Sequence, residues 1–136
     1  MRGKKRVLFV CIGNSCRSQM AEGFARAYGS DVMEVRSAGL APATIVAPLT
    51  KQMLYERNLP ADDLFPKGIE MLQGEAFDVV VNLSGTSLPQ FPQTPAPRIL
   101  VWPVTDPIGQ KDSVYRDVAD RIESLVMGLI LELRAA

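Results

Sequence analysis

The chain has 136 residues, 47% of them hydrophobic and 22% charged, with Lys plus Arg and Asp plus Glu balanced at fifteen each. That length suits one domain, residues 1–136, around a single core, and the neutral balance creates no field favouring nucleic acid or an anionic membrane. No stretch approaches the roughly 18 apolar residues of a membrane span, and two cysteines without a histidine cannot complete a tetrahedral zinc shell, so no metal is expected.

The basic cluster Arg2, Lys4, Lys5 and Arg6 reads as a solvated entry to the first strand. It is not the head of a signal peptide, because the apolar run behind it is short and Asn14, Ser15 and Arg17 interrupt it. Without an export signal, two cysteines suit a reducing cytoplasm. Val7–Val10 is a buried strand, and a small polar loop from Cys11 to Arg17 follows it. Met20, Phe24, Ala27 and Tyr28 then fall on one face of a helix. Ser18 stands where an N-cap is expected, Glu22 adds negative charge to the first turn, and Gly29 provides the stop.

Val32–Arg36 alternates as a second strand, closed by Ser37-Ala38-Gly39. Pro42 and Pro48 bracket a loop before a helix over Leu49–Arg57, which Pro60 ends. Lys67–Gln73 predicts one or two helical turns with Gly74 as the stop. Phe77–Leu83 is a continuous apolar strand of the parallel-sheet kind, and Asp78 at its start is assigned a structural role on the rim far from Cys11. The proline-rich stretch from Ser84 to Pro97 is a surface loop. Arg98–Val104 is the fourth strand, with Pro103 placing its last part at an edge. The closing amphipathic helix carries Val114, Val118, Ile122, Leu125, Leu129 and Leu133 in register. The order of elements is that of an α/β fold, a parallel sheet with helices on both faces.

The loop after the first strand places a thiol at a strand tip with a helix N-terminus aimed back at it. A cysteine at a helix N-terminus beside a cation ionises more readily than a free one. The backbone N–H groups of Ile12, Gly13, Asn14, Ser15 and Cys16, curled around one point with that of Arg17, would form an anion nest. Arg17 adds a planar fork of donors matched to two oxygens of a tetrahedral oxyanion. Asn14 is expected in the left-handed conformation that asparagine tolerates.

VLFVCIGNSCRSQMAEG resembles the phosphate-binding signature of the low-molecular-weight protein tyrosine phosphatases and of the arsenate reductases that share their architecture. The likeness extends to Ser37-Ala38-Gly39 and to Asp106-Pro107 over nearly the whole chain. It implies a three-layer α/β sandwich whose parallel sheet has the strand order 2-1-3-4, so that Cys11, Ser37, Ser84 and Asp106 share one rim. It further implies Cys11 as nucleophile, Arg17 as oxyanion ligand, Ser18 as hydrogen-bond partner of the thiolate, and Asp106 as the general acid that protonates the leaving oxygen. Asp112 is the fallback acid, though it more naturally starts the last helix. No cofactor is required.

Two enzymes share the first step. The primary reading is a phosphatase hydrolysing phosphomonoesters of proteins or small molecules, phosphotyrosine above all, through a cysteinyl-phosphate. The alternative is an arsenate reductase recycling through a small external thiol, glutathione or mycothiol. Related thioredoxin-recycled reductases use two further cysteines after strand three; here Ser84 takes the place of the first, and no cysteine follows Cys16. The aromatic residues that clamp a phosphotyrosine ring are also missing, replaced by Ile108-Gly109 and Ala41-Pro42-Ala43-Thr44. WPVTDPIG leans toward the reductase branch. A scaffold without activity is disfavoured, because nucleophile, arginine, serine and acid are all present. Cys16 is either a disulfide partner for Cys11 under peroxide or a small buried residue. Some related reductases hold a potassium ion beside this loop, which an ammonium near Asn14 and Glu22 could replace; the simpler expectation is that Lys67 is exposed.

Overall fold

The computed structural model describes residues 3–136, so Arg2 of the basic cluster lies outside the described residues. The elements are β1 (Lys5–Cys11), α1 (Arg17–Gly29), β2 (Met33–Gly39), α2 (Pro48–Tyr55), the 3-10 turn η1 (Ile69–Leu72), β3 (Val79–Asn82), β4 (Arg98–Val101) and α3 (Asp112–Ala135). The strands form one parallel sheet in the order β2-β1-β3-β4, as expected. The order reverses beside β1, which places the carboxyl end of that strand at the switch point where ligands bind in such sheets.

Residue parity along β1 divides the interior. Val7, Phe9 and Cys11 face a large core with α1, α2 and α3, whereas Leu8 and Val10 face a smaller one with Ala38, Leu72, Phe77 and Val80. Both sides are buried, which is why β1 reads as an unbroken apolar run rather than an alternation. The three layers are unequal. All three α-helices pack into the first core, and the second face is covered by η1 and by Leu88 and Phe91 of the loop after β3. Gln93 anchors that loop like a strand partner: the Phe77 N–H donates to its Oε1 (2.9 Å) and its Nε2 donates to the Phe77 carbonyl (2.6 Å).

Several boundaries differ from the sequence expectation. β4 ends at Val101, although Trp102 and Val104 are buried. Pro103 has no N–H to continue the ladder, the Val104 N–H turns back to the Trp102 carbonyl (2.9 Å), and the Val104 carbonyl accepts from Arg17. The last helix starts at Asp112, supporting the structural assignment of that residue. Asp78 accepts from the Arg6 N–H (2.8 Å) at the amino end of the sheet. Among the described residues no helix is long and apolar enough to cross a membrane.

Candidate active site

The loop between β1 and α1 has its peptide planes turned by donors from outside it. The Leu40, Ala41, Ala43 and Ala47 N–H groups donate to the carbonyls of Cys11 (3.0 Å), Ile12 (2.8 Å), Gly13 (2.9 Å) and Ser15 (3.0 Å). Gln19 Nε2 takes the Asn14 carbonyl at 3.1 Å. In a planar trans peptide the next N–H points opposite to the carbonyl. The N–H groups of Ile12, Gly13, Asn14, Ser15 and Cys16 are therefore turned away from the surrounding belt. Asn14 has φ 51°, the left-handed value expected. Gly39 is required where β2 meets the loop, because a Cβ there would lie 2.6 Å from the Ile12 carbonyl oxygen and 2.8 Å from the Asn14 nitrogen.

Ser18 is not the N-cap. The helix begins at Arg17, Cys16 holds the cap position, and no side chain caps it. The first-turn N–H groups are thereby left for an anion. The Ser18 hydroxyl lies instead 2.9 Å from Cys11 Sγ and accepts from Asn14 Nδ2 at 2.7 Å. Nor is Glu22 in the first turn; it is buried, and it accepts from Ser37 Oγ at 2.5 Å.

These contacts have a fixed direction. A carboxylate only accepts, so Ser37 gives its proton to Glu22 and accepts from Asn14 Nδ2 (3.0 Å). The same amide nitrogen donates to Ser18, which leaves the Ser18 hydroxyl hydrogen free for the sulfur of Cys11. Glu22 is thus linked to the serine through two side chains, Ser37 and Asn14.

Lys67 is not exposed as the simpler expectation held. Its Nζ lies 3.4 Å from Asn14 Oδ1, 3.5 Å from Ser37 Oγ, 3.4 Å from the Phe65 carbonyl and 4.0 Å from Glu22 Oε1. Burial pushes its pKa down, opposed by the Glu22 charge. Its backbone N–H also donates to Asn14 Oδ1 (2.9 Å).

Arg17 is buried. Its Nη1 donates to the Leu83 carbonyl (2.6 Å) and to the Val104 carbonyl (3.2 Å), and its Nη2 lies 3.5 Å from Asp106 Oδ2. Cys11, Arg17, Ser18 and Asp106 are thus gathered on the carboxyl rim of the sheet. The Asp106 side chain is 48% exposed, on a turn where the Ile108 N–H donates to its Oδ1 (3.1 Å). Ser84, just past β3, is buried and donates to Asn82 Oδ1 at 2.6 Å.

Cys16 is buried against Met20, sulfur to sulfur 4.0 Å, and burial pushes its thiol up to about 12. Both cysteines are free. Three participants were not singled out in the sequence. Gln19 and Thr50 hold loop carbonyls, and Tyr115 of α3 is buried, its phenol pushed up by burial and by the charges of Cys16 and Asp106. Nothing in their spacing marks them, because each reaches the loop only through the fold.

The family model for low molecular weight phosphotyrosine protein phosphatases matches residues 6–136. The chain belongs to that family. Among its relatives is a glutaredoxin arsenate reductase of Synechocystis sp., 35% identical over 130 residues that span 95% of this chain and 98% of the relative. An arsenate reductase solved in the phosphate-binding state superposes with a TM-score of 0.83 at 34% identity, covering 95% of this chain and 98% of the other. A low molecular weight protein tyrosine phosphatase from T. tengcongensis superposes with a TM-score of 0.78 at 29% identity, covering 95% and 99%. The low-molecular-weight phosphatase family thus contains both chemistries that the loop suggests.

Proposed function

We propose that this member of the family is an arsenate reductase that takes its second thiol from outside the chain. This reverses the order of the two enzymes expected from the sequence, where the phosphatase stood first. The observation that carries the reversal is whole-chain similarity to relatives named arsenate reductases. The sequence supports it too: Ala41-Pro42-Ala43-Thr44 and Ile108-Gly109 stand where the ring-clamping aromatic residues of the phosphotyrosine enzymes are expected.

In this mechanism Cys11 attacks arsenic while the loop amides and Arg17 hold the oxyanion, and hydroxide leaves with a proton. The Ser18 hydroxyl stabilises the sulfur as a thiolate. An external thiol then attacks the Cys11 sulfur, forming a mixed disulfide, and the arsenic departs as arsenite with the electron pair of the broken S–As bond. A second external thiol releases Cys11. Two thiols become one disulfide as arsenate becomes arsenite and water. Ser84, where a further cysteine would stand, cannot take the place of the external thiol.

Asp106 supports a second activity on the same residues. Its half-exposed carboxyl group lies beside Arg17, and in its acid form it would protonate an ester leaving group, a group that arsenate lacks. Phosphomonoester hydrolysis through a cysteinyl-phosphate is the secondary reading. Incubation with arsenate plus glutathione, mycothiol or a glutaredoxin system, followed by arsenite assay, tests the proposal against para-nitrophenyl phosphate cleavage. Arsenite formation dependent on Cys11 is expected. Ester cleavage without arsenite from any thiol donor would restore the phosphatase as the main function.

A further inference from the structure

One loop carbonyl is held differently from the others. Ser15 accepts two hydrogen bonds, from the Ala47 N–H at 3.0 Å and from Thr50 Oγ1 at 2.9 Å. Ser15 is the last loop residue before the Cys16 cap, and its peptide plane decides where the Cys16 N–H points. Cys16 has φ −144° and ψ −83°, outside the helical basin, so α1 does not set that plane. Something beyond the helix must.

Thr50 is well placed for the task. It is fully buried in the first turn of α2, and its own N–H donates to the Ala47 carbonyl at 2.9 Å. Just beyond the C-terminal end of α2, two ion pairs tie the chain to α3: Glu56 with Arg116 at 3.0 Å and Arg57 with Asp120 at 2.6 Å. A single hydroxyl from a separate helix thereby holds the backbone at the end of the loop.

We propose that Thr50 is a positioning residue of the anion site, which holds the Ser15–Cys16 peptide so that the Cys16 N–H is presented to the bound oxyanion. The proposal rests on the reading of the loop as an oxyanion site and adds a residue from a separate helix to it. It does not depend on which oxyanion is turned over.

Valine and serine variants separate hydrogen bonding from packing. Thr50→Val keeps the shape and loses the donor; Thr50→Ser keeps the donor and loses a methyl. Inhibition constants for inorganic phosphate and orthovanadate, with kcat and KM for arsenate or para-nitrophenyl phosphate, are the readouts. Thr50→Val is expected to weaken both anions about five- to tenfold and to raise KM similarly, the scale of one hydrogen bond. Thr50→Ser should stay within about twofold of wild type. Thr50→Ala, which folds with a small void if Thr50→Val proves unstable, should match valine rather than serine on anion binding. Unchanged phosphate binding in Thr50→Val, or a serine variant worse than the valine one, would show a packing role and overturn the proposal. Failure of the wild type itself to bind phosphate or vanadate would overturn the oxyanion reading instead.

Discussion

The two ends of the loop treat the same side chain in opposite ways. At the strand end, Cys11 Sγ meets a hydroxyl whose hydrogen is directed to it by a chain that starts at Glu22. At the helix end, Cys16 meets Met20 and a desolvating core that pushes its thiol up to about 12. Both are buried, so burial alone does not separate them; what differs is the hydroxyl of Ser18 against Cys11 and the thioether of Met20 against Cys16. The contrast also bears on arsenate chemistry, which needs two thiols. A protonated Cys16 is poorly suited to be the second, and this favours a thiol from outside.

Exchanging the cysteines tests this contrast with the largest effect. Cys11→Ser should lower turnover of arsenate and of para-nitrophenyl phosphate at least about 10³-fold. Cys16→Ser should retain activity to within about fivefold, and a loss as deep as that of Cys11→Ser would make Cys16 a participant. Next in size, Asp106→Asn should cut ester hydrolysis about 10²- to 10⁴-fold and leave arsenite formation nearly unchanged; equal losses would remove the division between the two reactions. A smaller effect is expected at the serine. Ser18→Ala should slow both reactions about tenfold, in line with one hydrogen bond to a charged sulfur.

The pH dependence of Cys16 sharpens the comparison further. Burial raises its thiol from the ordinary value of 9.0 to about 12, so between these pH values the folded state keeps a proton that the unfolded state has lost. The stabilisation from the buried thiol is therefore present below about pH 9 and lost as the pH rises toward 12. Mass spectrometry after iodoacetamide treatment of the folded protein should show Cys16 unmodified at pH 8, and modified only on unfolding. Modification of folded Cys16 at that pH would contradict the inert assignment.

Much of this arrangement was legible in the sequence for local reasons. The apolar run Val7–Val10, the left-handed Asn14 and the stripe along α3 are set by neighbours a few residues apart. Cys11 and Arg17 were legible because strand, loop and helix are contiguous. The misread residues are those whose partners come from elsewhere. Ser18 is the exception, with near neighbours: its capping role fails, but its other expected role, as partner of the Cys11 sulfur, is the one its hydroxyl takes. Lys67 has the composition of a surface residue, but the oxygens of Asn14, Ser37 and Phe65 draw it inward once β2 and the 65–68 segment meet the loop. β4 stops early at Pro103, which the sequence shows, but the turn beyond it also gives the Val104 carbonyl to Arg17, a contact that spans most of the chain. The belt from Leu40 to Ala47 reads only as a proline-bracketed loop, although it holds the carbonyls of Cys11, Ile12, Gly13 and Ser15.

Alkylation kinetics of Cys11 in the native protein, with and without inorganic phosphate or vanadate, test the central claim most directly. Cys11 should react faster than a free cysteine thiol at neutral pH, and either anion should protect it in proportion to occupancy. A rate like that of an ordinary thiol, unaffected by phosphate and vanadate, would show that nucleophile and oxyanion do not share one site.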